Sequence, residues 1–186
     1  MKDEIKKSLK VLKEGGVIIY PTDTIWGIGC DATNKIAIDR IYQIKKRSES
    51  KSLIVLVNNW GMLKQYVKQV PDKVSCILKG SSKPTTVIYN DPQGLADNLI
   101  AADNTVAIRI VNDEFCQKLI KKLNKPIVST SANYSNAKAP NSFYDIEESL
   151  LEKADYIVNL HRESQQGLSS QIVKVDSRGK IEFIRK

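Results

Sequence analysis

Apolar residues follow two rhythms along this chain. Across residues 2–14, Ile5, Leu9 and Leu12 recur at helical spacing, with charged residues between them. That spacing predicts an amphipathic helix, and Gly15-Gly16 supplies its stop. The next run, Gly16-Val-Ile-Ile-Tyr20, does not alternate, which predicts a strand buried on both faces. Pro21 cannot donate to a ladder and ends it. The two rhythms then take turns. Ala37, Ile41 and Ile44 sit at core spacing on a helix that Asn34 can cap, and Leu53–Val57 reads as a second buried strand. Residues 60–67 and 71–79 read as helices, with Pro71 in a first turn. The β-branched run from Pro84 to Tyr89 predicts a strand, and Asp91-Pro-Gln-Gly94 a turn. Strands are predicted over Thr105–Ile110, Pro126–Thr130 and Asp155–Asn159, and helices over 113–123 and Phe143–Lys153. Gln171–Val175 and Lys180–Ile184 pair as a hairpin across Asp176-Ser-Arg-Gly179. Early helix–strand alternation with a late hairpin predicts an α/β fold. We expect a single domain over 1–186, with a twisted, mostly mixed β-sheet flanked by helices.

Composition narrows this picture. The 186 residues are 41% hydrophobic, enough for one sizeable core, and no linker or internal repeat divides them. Apolar runs are strand-sized, far short of a membrane span, and the N-terminus lacks the apolar core of a signal peptide. The expectation is a cytoplasmic protein without a membrane partner. Cys30, Cys76 and Cys116 are odd in number and form no C-x-x-C, so they read as thiols in a reducing compartment. The net charge of +8 favours anionic partners such as ATP, pyrophosphate or RNA without choosing among them. Neither G-x-x-x-x-G-K-[ST] nor G-x-G-x-x-G occurs, so any phosphate binding must come largely from side chains. The one histidine, His161, lies in a polar stretch, which argues against a Ser-His-Asp triad. No His, Cys and Asp group has metal-ligand spacing.

The candidate chemistry sits at strand ends. Tyr20-Pro-Thr22-Asp23-Thr24-Ile-Trp26-Gly27-Ile-Gly29 places two hydroxyls, a carboxylate and two glycines after a buried strand. Such turns hold ligands in α/β proteins. The same residues also suit a turn whose side chains bond their own backbone. Lys45, Arg47 and Lys51 leave a helix end as K-x-R-x-x-x-K. They can converge on phosphates or merely complement the helix dipole. Arg109, a lone charge on a buried strand, needs an anionic partner, whether substrate or internal carboxylate. Ser129-Thr-Ser131-Ala-Asn133 repeats the strand-then-hydroxyl layout and also reads as a capped turn.

Taken in order, these blocks resemble the YrdC-like family of threonylcarbamoyl-AMP synthases. That family carries P-T-[DE]-T-x-[YW]-G-[LI], then K-x-R with a Lys or similar group four residues on, then S-T-S-A-N. The resemblance runs from about Gly15 to the C-terminus. It implies a nucleotidyltransferase that uses L-threonine, bicarbonate or CO2, and ATP, with Mg2+. The products are threonylcarbamoyl-AMP and pyrophosphate, made for threonylcarbamoyladenosine modification of tRNA and handed to threonylcarbamoyl-transfer proteins. It implies that Thr24, Arg109, Ser129 and Ser169 contact threonine, with Arg109 on the carboxylate. Lys45, Arg47, Lys51, Thr105, Ser131, Asn133 and Arg185 are implied ATP contacts, and Thr22 is loop architecture. No residue is assigned as a catalytic base, because the attacking carbamate is already an anion. The alternative is a YrdC-like RNA- or nucleotide-binding paralogue without synthase activity, with tRNA or double-stranded RNA as its partner. Departures from the family pattern touch loop geometry: Trp26 for Tyr, Ser48 and Ser52 for Pro, Lys83-Pro-Thr-Thr86 for P-G-P-x-T, Asn136 for Gly and Leu168 for Pro.

Overall fold

The computed structural model describes residues 1–46, 53–164, 167–176 and 180–185. Their strands form one nine-stranded mixed sheet. In chain order the elements are α1 (Lys2–Lys13), β1 (Ile18–Tyr20), β2 (Gly27–Gly29), α2 (Lys35–Lys45), β3 (Ile54–Val57), α3 (Trp60–Tyr66) and α4 (Asp72–Gly80). There follow β4 (Thr85–Asn90), β5 (Thr105–Ile110), α5 (Glu114–Leu123), β6 (Ile127–Ser131), α6 (Glu148–Leu151), β7 (Tyr156–Ile157), β8 (Gln171–Val175) and β9 (Ile181–Arg185). The strands lie in the order β7-β1-β2-β6-β3-β5-β4-β8-β9. Three neighbouring pairs are parallel, β1–β7, β3–β5 and β4–β8, and the rest are antiparallel.

The predicted causes hold at several elements. Ile18, Ile19 and Tyr20 are fully buried, as a continuous apolar run requires. The Asn34 side chain accepts from Ala37 N at 3.1 Å and caps α2. Lys46 then ends α2 in a left-handed conformation. The late hairpin forms as β8 against β9. Among the described residues, no helix is long and apolar enough to cross a membrane.

Four elements differ from the sequence expectation. The Gly27–Gly29 segment, read as a loop, is a strand between β1 and β6. A Cβ on Gly29 would sit 1.9 Å from the Val128 carbonyl, so glycine there permits the close approach of β6. Phe143–Lys153 is not one helix. A 3-10 turn at Phe143–Asp145 closes on its own capping box, Ile146 and Glu147 are extended, and only Glu148–Leu151 is α-helical. The strand expected over Asp155–Asn159 is two residues long. Pro71 precedes α4 as its N-cap residue instead of standing inside the first turn.

Candidate functional site

Sheet register builds the floor of the site. Ser129 of β6 pairs with Ile54 of β3, Ile54 with Ala107 of β5, and Ala107 with Ile88 of β4. Paired residues share a face, so these four side chains form one row across the centre of the sheet. Over this row lies a cavity of about 250 Å3. Thr24 and Ile25 of the β1–β2 loop, with Gly27 of β2, wall one side, while Ser169, Ser170, Ile172, Ile184 and Arg185 wall the other.

Arg109 enters the cavity from β5, in line with Ala107, and is almost fully buried. Its Nη1 lies 3.1 Å from Asp23 Oδ1 and donates to Thr24 Oγ1 at 3.1 Å. The contact with Oδ1 is an ion pair by distance, not an aligned hydrogen bond. Asp23 is held in turn by Asn112 N, which donates to its Oδ2 at 3.1 Å. The loop holds its own shape: Thr22 Oγ1 bonds Ile25 O, Thr24 N and Thr24 Oγ1. Thr22 is thus architecture, whereas Thr24 faces the cavity. Arg109 Nε is buried with no hydrogen-bond partner among the described residues. A buried donor of this kind favours an incoming oxygen.

A second guanidinium faces the same space. The β8–β9 pairing contains a bulge: Ile172 pairs with Arg185 and Val173 with Phe183, leaving Ile184 as the extra residue. The bulge puts both Ile184 and Arg185 against the cavity. Arg185 Nε donates to Ser170 O at 2.9 Å and its Nη2 to Ser170 Oγ at 3.3 Å. Ser170 Oγ also shares a 2.8 Å hydrogen bond with Thr86 Oγ1. Burial, with the charge of Arg109, pulls the Arg185 pKa below its usual value. Two cations facing one cavity oppose each other until an anion enters between them.

The structure therefore brings together six of the predicted contacts: Thr24, Arg109, Ser129, Ser131, Ser169 and Arg185. Three others lie off the cavity. Lys45 is buried under the 131–137 loop, with Nζ donating to Ser131 O at 2.5 Å and Asn133 O at 2.6 Å. Asn133 engages its own loop, with Nδ2 donating to Ala137 O at 2.6 Å. Thr105 shares the face of Arg109, two side-chain steps away along β5, and donates to Asp103 Oδ1 at 2.7 Å. Arg47 and Lys51, with Ser48 and Ser52 beside them, lie outside the described residues. Among the described residues, no three His, Cys, Asp or Glu side chains converge as metal ligands. Sequence reasoning assigned no site role to Asp23 or Thr86, and took Ser170 only as the neighbour of the implied threonine contact Ser169. A lone buried Arg109 and an acidic residue in the strand-end motif were signals enough to pair Asp23 with it. Nothing local in sequence points to the Thr86–Ser170 contact, which joins β4 to the residue before β8.

Fold and cavity together define a mixed α/β protein with a small, hydroxyl-lined, doubly cationic site on one sheet face. The Sua5/YciO/YrdC family model, described as "Telomere recombination", matches residues 10–186, and the chain belongs to that family. It is 32% identical over 158 residues to the threonylcarbamoyl-AMP synthase of Pseudoalteromonas translucida, covering 83% of this chain and 84% of that one. The structure of P. abyssi Sua5 complexed with L-threonine superposes with a TM-score of 0.87 at 24% identity, over 97% of this chain and 53% of that chain. E. coli YciO superposes at 0.83 with 19% identity, over 100% of this chain and 90% of that chain. This chain thus spans about half the length of Sua5. At such identities the two superpositions speak for the fold alone.

Proposed function

We propose that the chain is an L-threonylcarbamoyladenylate synthase, a nucleotidyltransferase acting on L-threonine, bicarbonate or CO2, and ATP. The observation that carries this reading is Arg109. Its guanidinium is fixed at the cavity wall by Asp23 and Thr24, with Nε unpartnered among the described residues and Arg185 facing the same space. A planar fork fixed in this way suits the carboxylate of an amino acid. Thr24, Ser129 and Ser169 line the same cavity and can bond the rest of that substrate. The cavity, at about 250 Å3, falls below the roughly 300–1,000 Å3 of sites that enclose a drug-sized ligand. It therefore suits the amino acid and the reacting phosphate, with the remaining nucleotide lying over the open sheet face toward Ser131. The synthase name of the relatives supports the same substrate.

The chemistry balances without a protein nucleophile. The threonine amine and bicarbonate condense to an N-carbamate and water. A carbamate oxygen attacks the α-phosphorus of ATP, forming the carbamoyl–phosphate anhydride bond while the α–β bridging bond breaks and pyrophosphate leaves. The enzyme must hold two anions together and accept the charge of the leaving group, which is positioning and electrostatics. Arg109 takes the carboxylate. Arg185 faces the reacting phosphate, and Arg47 and Lys51 follow α2 in the chain as further phosphate ligands. Mg2+ belongs to the substrate as the ATP complex and rides on triphosphate oxygens. On this reading the adenylate is a reactive acyl donor for tRNA threonylcarbamoyl-transfer proteins, and the chain works with them in the cytoplasm. Pyrophosphate release tests the reading. It should require ATP, bicarbonate and L-threonine together. Release indifferent to threonine would replace this reading with that of a nucleotide-binding relative lacking synthase activity.

A further inference from the structure

Lys45 stands at the end of α2, two residues before Arg47, and is 1% exposed. An ammonium this deep must find acceptors. Three acceptors for Lys45 lie in one loop: Ser131 O at 2.5 Å, Asn133 O at 2.6 Å and Asn133 Oδ1 at 3.4 Å. The attachment runs both ways, because Ser135 N donates to Lys45 O at 2.9 Å. The loop thus caps the last turn of α2, while the side chain from that turn anchors the loop. Asn133 is turned inward by the same contacts, its Nδ2 donating to Ala137 O. Ser131 keeps its place on the cavity wall.

We propose that Lys45 is a positioning residue for the nucleotide side of the site and not a phosphate ligand. It locks the 131–137 loop to the last turn of α2, so that Ser131 is held in a fixed place on the nucleotide side of the cavity. The role in turnover rests on the synthase reading. The structural lock does not, and the two are tested separately.

The test uses the full chain as Lys45→Met, with Lys45→Arg beside it in case the first variant does not fold. Amide hydrogen exchange is followed across 131–137 without ligands. Loss of the ammonium should speed exchange there by about tenfold or more, with β3 and β5 unchanged. Arginine, which keeps a cationic donor, should give an intermediate rate. In turnover, the KM for ATP should rise by about tenfold and that for threonine by less than about threefold. A folded variant whose 131–137 exchange matches the wild type overturns the proposal, above all if its pyrophosphate affinity falls, as loss of a phosphate ligand demands. Equal rises in both KM values also overturn it. If the wild-type chain shows no threonine-dependent turnover, the synthase reading fails and the exchange result alone decides the role of Lys45.

Discussion

Asp23 and Arg109, far apart in sequence, meet at 3.1 Å with side chains 15% and 4% exposed. The loop after β1 and the end of β5 are joined there, and the charge that faces the cavity is balanced by the loop. Removing Asp23 would leave a buried, unbalanced cation. Asp23→Ala should lower stability by about 3 kcal/mol, read as the urea midpoint. Asp23→Asn should fold better yet raise the KM for threonine far more than that for ATP. An unchanged threonine KM in Asp23→Asn would mean that Arg109 does not depend on this pairing.

Arg109 itself should be intolerant of lysine. A point charge cannot keep both the Thr24 contact and a two-pronged grip on a carboxylate. The lost charge-assisted bond is worth about 1.5–3 kcal/mol, or roughly tenfold to a hundredfold in kcat/KM for threonine. Steady-state kinetics at fixed saturating ATP measures this. Wild-type kinetics in Arg109→Lys would remove the carboxylate role.

Gly29 and Gly27 should separate fold from site. An added Cβ at Gly29 meets the Val128 carbonyl, which cannot move without breaking β2 from β6, whereas at Gly27 it meets the movable Ser129 hydroxyl at 3.0 Å. Gly29→Ala should cost about 3 kcal/mol or more. Gly27→Ala should fold and lose activity, because its methyl group enters the cavity. Thermal melts and turnover of the pair give the comparison, and equal melting temperatures would contradict it.

Asp155 gives the fold an acid-sensitive tie. Burial pushes its carboxyl pKa up, but the Arg40 fork at 2.5 and 3.0 Å and Val17 N at 2.7 Å outweigh that and leave it below the ordinary range. A depressed folded-state pKa stabilises above the unfolded value and ceases to do so as pH falls through the folded one. Asp155→Asn should therefore be less stable than wild type at neutral pH. The gap should close on acidification below about pH 4. Urea midpoints at both pH values check the sign, and a gap independent of pH would contradict it.

Helices with a clean apolar stripe and a local cap were legible in the sequence, α1 and the Asn34-capped α2 among them. So were the strands with continuous apolar runs, because their burial is written in composition. The β2 strand was not, since two glycines in three residues carry no strand propensity and its existence depends on β1 and β6 pairing around it. Arg109 and Thr24 could be picked from motif and lone charge. The inward turn of Lys45 could not, because its acceptors are backbone carbonyls more than eighty residues away. Arg185 was named through the family resemblance alone, since the bulge that aims it at the cavity appears only in the β8–β9 register.

The most direct test of the synthase reading follows the carbon. Purified chain is given labelled bicarbonate, ATP with Mg2+ and L-threonine, and the nucleotide fraction is resolved by mass spectrometry. The reading predicts a labelled threonylcarbamoyl-AMP that forms with pyrophosphate in equal amount, vanishes when threonine is omitted and is lost in Arg109→Ala. Pyrophosphate release with no label in any nucleotide would contradict it.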